Sequence, residues 1–380
     1  MYYITIKQSP EYHQMTLEEF IFGSPAKSSL INLNTTNTRT YEREQISKRF
    51  KKTVDVEHLI KVLSDFNSNT KELREKERKR LYKEFYIPKK SGGLRKIDAP
   101  EPPLMDALRE LKKIFENDFG ALYHTAAYAY IKQRSTIECM KKHKANESRW
   151  FAKYDLHDFF GSTTKEFVVN MFSMIFPFSE VIEDSVGKSE FEKAIDLAFL
   201  NGGLPQGTPV SPTITNIMMI PIDYKISNAL RDFENQQFVY TRYADDFQVS
   251  SKYDFDFRKI EKLIKDTLSE FKAPFELNSK KTRYGSSSGS NWNLGVMLNK
   301  DNEITVGYKN KKRFQAMLSS YIMDKKHGVD WDKSDVQTLE GYRNYYKMVE
   351  GETIDRIVNH ISNKFEVNVV EMIRADLRDN

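Results

Sequence analysis

The sequence predicts an α+β fold, an antiparallel sheet with helices on one face, and three observations lead there. In Phe238-Val239-Tyr240-Thr241-Arg242-Tyr243-Ala244-Asp245-Asp246-Phe247-Gln248-Val249-Ser250, apolar and β-prone residues flank two adjacent acids. The stretch therefore reads as a hairpin with the acids at its tip. Arg149-Trp150-Phe151-Ala152-Lys153-Tyr154-Asp155 reads as a buried strand that also ends in an acid. The order strand, helix, helix, hairpin, helix along residues 149–271 is that of an α+β core.

The remaining elements follow in chain order. Glu42 to Phe66 has helical spacing (Ile46, Phe50, Val54, Leu59, Ile60, Leu63), which predicts helices packed on the main body. Glu84 to Pro100 reads as a basic hairpin turning at Ser91-Gly92-Gly93. A helix is expected over 103–119. Thr163 with Glu166 forms a capping box for a helix reaching Phe176. A long apolar-periodic helix should run from Pro212 to Phe233, and another from Asp256 to Phe271. Short strands are expected at Asn293–Met297 and Glu303–Val306. The last 70 or so residues look helical and basic, with apolar stripes at Leu339, Tyr342, Tyr346 and at Ile354, Ile357, Val358, Ile361.

Composition narrows the function classes. At 380 residues, with 39% hydrophobic and 30% charged side chains, the chain can build about two or three subdomains around a substantial core. No apolar run approaches a membrane span, and the start lacks the layout of a secretory signal. Cys139 is the one cysteine, which excludes an internal disulfide and a Cys-rich zinc module. A cytoplasmic enzyme is expected. The net charge of +5 is modest, but it is clustered at 48–52, 74–80, 89–96 and 309–313. With 13% aromatic residues, that distribution suits phosphate-tracking and base-stacking surfaces.

Two ionised aspartates at one tight turn repel each other, a cost usually tolerated where a cation sits between them. Alone, Asp245-Asp246 would read as a solvated surface turn. Asp155, on a second strand of the same sheet, could join them at one edge. Three carboxylates there would take hard divalent cations through oxygen, and Mg²⁺ suits such a site. Two ions would activate an attacking hydroxyl and stabilise a leaving pyrophosphate. Between the acids lies Asn201-Gly202-Gly203-Leu204-Pro205-Gln206-Gly207-Thr208-Pro209-Val210-Ser211-Pro212, a rigid irregular loop leading into a helix, where backbone can approach a ligand.

Leu204-Pro205-Gln206-Gly207-x-Pro-x-Ser-Pro, preceded by Asp155-Leu156-His157-Asp158-Phe159-Phe160 and followed by Tyr243-Ala244-Asp245-Asp246, closely resembles bacterial reverse transcriptases of the group II intron, retron and antiphage-defence types. Four further segments agree in order. These are Gly92-Gly93-Leu94-Arg95-Lys96-Ile97, Tyr128 to Ser135, Phe275 to Thr282 and Asn293-Leu294-Gly295. The resemblance covers about residues 80–310. It implies a right-hand polymerase fold with fingers, an antiparallel-sheet palm backed by helices, and a helical thumb. It further implies an N-terminal helical extension over 1–75, fingers and palm over 76–310 and thumb over 311–380.

The resemblance also implies roles. Asp155, Asp245 and Asp246 would be catalytic metal ligands for two Mg²⁺ ions, with Mn²⁺ as substitute and the Leu156 carbonyl as a further ligand. Arg95 and Lys96 would hold the incoming dNTP, and Gln206 and Gly207 would lie near its sugar. Asp158, Phe159 and Phe160 would line that pocket, with Phe160 excluding a 2′-hydroxyl. Lys281 would be a general acid toward pyrophosphate. Arg134, Tyr243, Leu294 and Gly295 would contact primer or template, and Lys309, Lys311, Lys312 and Arg313 the duplex phosphates. Tyr342, Tyr345 and Tyr346 would mostly pack the thumb.

Some features depart from the related types. Retron enzymes carry Asn-Ala-x-x-His where this chain has Cys139-Met140-Lys141-Lys142-His143, and Val-Thr-Gly where it has Ile304-Thr305-Val306-Gly307. Diversity-generating enzymes have a different loop in place of Leu204 to Gly207. The length leaves no room for the endonuclease domain of many intron enzymes. These departures point to a stand-alone defence-associated enzyme working on a structured non-coding RNA and producing DNA, with an effector protein or a second copy as further partner and no membrane. A retron-type enzyme making msDNA, a template-independent polymerase and a catalytically silent RNA-binding protein are the alternatives. Replacing the Phe160 ring by a methyl group should admit ribonucleotides. Primer extension with NTPs should therefore be markedly more efficient for Phe160→Ala than for wild type, and equal incorporation would remove the gate assignment.

Overall fold

A computed structural model describes residues 55–88, 92–233, 237–287 and 295–378. Packing divides the chain into two units. One takes residues 1–124, 158–224 and 271–275, the other 125–157, 225–270 and 276–380. The expected helical region before residue 55, the turn residues 89–91 and the strand start at Asn293 lie outside the described residues.

In the first unit, Asp55 caps the helix Val56–Asn69 by accepting a hydrogen bond from the His58 amide at 2.9 Å. Its apolar stripe, Leu59, Leu63 and Phe66, is buried, and the helix packs on Ser185–Asp196. Asn67 Nδ2 donates to the carbonyl and carboxylate of Glu190 at 2.8 and 2.7 Å, and so fixes the register of the two helices. Strands β1 (Tyr82–Pro88) and β2 (Leu94–Pro100) form the expected basic hairpin, pairing Phe85 with Ile97 and Ile87 with Arg95. The helix Pro102–Lys113 continues as a π-turn over Ile114–Asp118. Its end packs Phe115 and Phe119 against Phe172, Phe178 and Phe191, with ring centroids 4.5–6.2 Å apart. Offset and edge-on aromatic contacts of this kind add to burial as a source of stability.

Two helix expectations need correction here. Thr163 is not an N-cap: its hydroxyl donates to the Phe159 carbonyl at 2.7 Å, closing the short helix Phe159–Ser162. Thr164 caps the next helix, Lys165–Phe172, instead, accepting from the Phe167 amide. The long helix expected from Pro212 to Phe233 is two, Ser211–Met218 and Ile220–Arg231, separated at Met219. Pro221 explains the break, because it lacks an N–H and its ring tolerates only the first turn of a helix. The helix Ser185–Asp196 was not anticipated: its Gly, Lys, Ser and Glu residues blur the apolar period.

The second unit is built on a four-stranded antiparallel sheet of β3 (Trp150–Asp155), β4 (Phe238–Tyr243), β5 (Asp246–Ser251) and β6 (Arg283–Ser286), in the order β4-β5-β3-β6. The helix Phe257–Glu270 lies on one face, where the Tyr154 hydroxyl donates to the Phe257 carbonyl at 2.7 Å. The helix Thr136–Ala145 is fastened through His143. Its ring nitrogens hydrogen-bond Ser250 Oγ on β5 at 2.6 Å and Thr241 Oγ1 on β4 at 2.8 Å. Beyond it, β7 (Met297–Leu298) and β8 (Ile304–Thr305) pair with each other. Val296, Leu298, Met140 and Phe151 form a shared apolar cluster.

Three helices close this unit, Tyr308–Lys326, Lys333–Phe365 and Val369–Arg378. The expected stripes are inside: Leu339, Tyr346, Ile354, Val358 and Ile361 are buried together. The long helix breaks its regular geometry at Glu350 (φ −145°, ψ 65°). There the carboxylate accepts from Thr305 Oγ1 at 2.9 Å, from the Val306 amide at 3.0 Å and from Lys311 Nζ at 2.9 Å.

Burial holds the His143 ring's pKa down at about 3, against an ordinary value of 6.5, and the charge on Lys142 pushes it the same way. The unfolded chain therefore binds a proton below pH 6.5 that the folded chain refuses. The stability contributed by the neutral ring is complete above pH 6.5 and is lost as pH falls toward 3, with about 2 kcal/mol gone at pH 5. Urea unfolding from pH 8 to 5 should show this slope, and His143→Gln should flatten it.

Candidate active site

The three acids come together because of strand register. Asp155 ends β3 and stands directly opposite Asp246, the first residue of β5. Asp245 sits between β4 and β5 at the hairpin tip, as expected from the sequence. Ala244, the first loop residue, is left-handed with φ 57°, a conformation costing about 1–2 kcal/mol for a residue with a Cβ. Arg242 offsets that cost from below. Its side chain is fully buried and its Nη1 donates to the Ala244 carbonyl at 3.2 Å. Three backbone bonds lock the neighbouring segment: Leu156 N to the Asp245 carbonyl at 3.0 Å, His157 N to Glu276 at 2.8 Å and Asn278 N to Asp155 at 2.7 Å. The acids are thus fixed by main chain from two sides.

Their electrostatics are those of crowded, partly desolvated carboxylates. Burial raises the Asp245 pKa, and the charge of Asp155 raises it further. Burial pushes Asp246 up to about 6, against the pull of Lys153. Lys153 Nζ lies 2.8 Å from Asp246 Oδ2. Lys281 Nζ contacts both oxygens of Asp155, at 2.8 and 3.1 Å, and that hydrogen bond raises the lysine's own pKa. Asp246 Oδ1 is buried with no hydrogen-bond partner. A buried bare carboxylate oxygen in an acidic cluster is suited to a cation. Among the described residues no three acidic, His or Cys side chains are gathered tightly enough to hold a metal ion as they stand. Lysine ammonium groups take up Asp155 and Asp246.

The residues expected around a nucleotide lie together in the first unit. Arg95 is exposed on β2. Lys96, beside it, pairs with Glu84 at 2.6 Å and Asp98 at 3.1 Å. The loop holding Gln206 and Gly207 joins the same strand, its Gln206 carbonyl accepting from the Asp98 amide at 3.1 Å. Asp158 takes a left-handed conformation (φ 44°) ahead of Phe159 and Phe160. Phe159 is buried, Phe160 half-buried, and their rings meet edge-on at 5.4 Å. The Phe160 carbonyl accepts from the Leu204 amide at 2.9 Å. A Cβ at Gly203 would lie 2.1 Å from the Gly161 carbonyl oxygen. The absence of a Cβ at Gly203 lets the loop touch the segment carrying Phe160, while that at Gly161 leaves room for the Asp158 carboxylate.

The other candidates lie in the second unit. Arg134 donates to the Ala127 carbonyl at 2.6 Å and stands over the Tyr128 ring. Tyr243 is half-buried, and Gly295 lies against the Tyr345 hydroxyl. Leu294 lies outside the described residues. Lys309, Lys312 and Arg313 are exposed on the first turns of their helix. Lys311 departs from expectation: it turns inward to Glu350 and Thr305, so its charge is committed within the protein. Tyr342 and Tyr346 pack as expected.

Sequence reasoning passed over Lys153, Arg242, His143 and Glu350. Lys153 was detectable, since residues two apart on a strand share a face and it precedes Asp155 by two. No local signal marks Arg242 or Glu350, whose partners are a turn carbonyl and a distant strand.

Residues 87–314 match the family described as reverse transcriptase (RNA-dependent DNA polymerase). The chain belongs to this family, and its activity is RNA-directed DNA polymerisation. Enzymes of the family use divalent metal ions and bind RNA templates. The chain is 29% identical over 276 residues to the Retron Ec73 reverse transcriptase of Escherichia coli, covering 70% of this chain and 83% of that one. It is 26% identical over 287 residues to the Retron Ec83 reverse transcriptase of the same organism, covering 73% and 85%. Among solved structures, apo telomerase from Candida Tropicalis is similar over 78% of this chain and 61% of that one, at 13% identity and a TM-score of 0.43.

The glycine contact generates a paired prediction. Gly203→Ala forces a methyl group into backbone and should cost about 2 kcal/mol or more. Gly202, with φ 85° but open space around it, should cost only about 1 kcal/mol as alanine. Urea unfolding of the two variants checks the order, and only Gly203→Ala should also raise the KM for dNTPs.

Proposed function

We propose that Asp155, Asp245 and Asp246 are the catalytic acids and that they hold two Mg²⁺ ions, with Mn²⁺ as substitute and the Leu156 carbonyl as a further ligand. The observation that carries this reading is the buried, unpartnered Asp246 Oδ1 beside two further carboxylates at one sheet edge. Mg²⁺ bound there would favour ionisation of the attacking hydroxyl and stabilise charge on the departing pyrophosphate. Arg95 grips the triphosphate with its planar fork, and Lys96 supports it. Gln206 and Gly207 flank the sugar, with Asp158 and Phe159 behind Phe160, whose ring excludes a 2′-hydroxyl. Lys281, held protonated, donates a proton to the leaving pyrophosphate. Arg134, Tyr243, Leu294 and Gly295 position primer and template, while Lys309, Lys312 and Arg313 track duplex phosphates.

In this reading residues 1–75 are an N-terminal extension, 76–310 the fingers and palm and 311–380 the thumb. The template is a dedicated structured RNA, the product its cDNA and the setting the cytoplasm, in bacterial antiphage defence with an effector or a second copy as partner. Relatives named as retron reverse transcriptases are compatible with this reading. They also favour a second reading, in which the product is the RNA-linked DNA of a retron. Sequencing RNA and cDNA bound to the purified protein separates these, and a random cellular mixture would count against both.

The acid assignment has its own test. Asp245→Ala and Asp246→Ala should each lower dNTP incorporation on an RNA template by at least about 10³-fold while RNA binding persists. Primer extension and a filter-binding assay, run in parallel, read the two quantities, and surviving synthesis would refute the assignment.

A further inference from the structure

Lys153 is a half-buried cation on a central strand, beside the acidic cluster. It stands two residues before Asp155 on β3 and therefore on the same face. On β5 it lies opposite Gln248, one diagonal step from Asp246. Its Nζ meets Asp246 Oδ2 at 2.8 Å, with the two side chains only 24% and 20% exposed. The contact engages one carboxylate oxygen alone, and Oδ1 stays buried and unpartnered. A bridge serving only to neutralise the sheet surface would leave its free oxygen in water.

The neighbours do not duplicate this contact. Arg283, level with Lys153 on β6, donates through Nη1 to the carbonyls of Lys280 and Thr282 at 3.1 and 2.9 Å. Gln248 Nε2 is buried without a partner. Lys281 binds Asp155 instead, and its side chain is 60% exposed. Lys153 is the more enclosed of the two ammonium groups.

We propose that Lys153 is a positioning residue for Asp246, holding one carboxylate oxygen so that the other faces the cation and offsetting part of the cluster's charge. The inference rests on the reading of the three aspartates as metal ligands. It gives Lys153 two opposed effects: it aims Asp246, which favours turnover, and its charge repels the cation, which weakens binding. A lysine that merely stabilised the fold would produce neither.

Mn²⁺ alone, titrated into the full-length protein without nucleic acid and read by electron paramagnetic resonance, tests the charge. Lys153→Met should bind Mn²⁺ about tenfold more tightly or more, because a unit charge a few ångströms from a divalent ion is removed. At saturating metal its kcat should fall by at least about tenfold with the KM for dNTPs unchanged, the pattern of a lost transition-state contact. Lys153→Arg should return the Mn²⁺ affinity to that of wild type and recover part of kcat. Unchanged or weaker Mn²⁺ binding by Lys153→Met, or an unchanged kcat, overturns the proposal. If Lys153→Met does not fold, Lys153→Gln supplies the same comparison. Asp245→Ala, titrated alongside, should lose Mn²⁺ binding. If it binds as wild type does, the acid assignment fails, and the role of Lys153 falls with it.

Discussion

The second unit is organised around one costly juxtaposition, Asp155 opposite Asp246 on adjacent antiparallel strands with Asp245 at the turn beside them. Like charges directly opposite each other in a sheet repel, and here they are also withdrawn from water. Nothing in strand propensity favours such a pairing, so the rest of the unit has to enforce it. The sheet register does most of this, because a slip of one residue would turn every side chain to the other face. Arg242 secures the turn, the Glu276–Asn278 segment secures the end of β3, and two lysines moderate the charge.

The constraint also explains why polar groups fasten this sheet to its surroundings. Apolar packing alone tolerates small slides. His143, with both ring nitrogens engaged on neighbouring strands, does not, and it ties β4 and β5 to one helix at a defined distance below the acids. Glu350 does the same for β8, using one carboxylate to hold a hydroxyl, an amide and an ammonium. His143 is buried and Glu350 half-buried, and polar links of this kind specify one arrangement rather than merely strengthening it.

The sequence made much of this legible, for physical reasons that differ by element. The hairpin at Tyr243–Asp246 was readable because turn, flanking β-formers and acids coincide within a dozen residues. The C-terminal stripes were readable because apolar period alone decides such helices. The capping error at Thr163 arose because two adjacent threonines can each cap, and only the short helix before them selects Thr164. The single long helix expected after Pro212 neglected Pro221. The segments Cys139–His143 and Ile304–Gly307 depart from the retron pattern. Yet His143 and Thr305 are where the sheet and strand pair are fastened. A side chain whose partner lies 45 to 107 residues away leaves no trace in local pattern.

The contact between Gly161 and Gly203 has a consequence for how this chain can vary. At most buried positions a larger residue is accommodated by a neighbour that shrinks. Here the neighbour is a main-chain carbonyl 2.1 Å from where a methyl group would be, and main chain cannot shrink. Gly203 is thus closed to any residue with a Cβ, and no side-chain change at a neighbour opens it. Diversification of the surface around Phe160 must therefore proceed through its side chains, along a backbone path that is held constant by the absence of atoms.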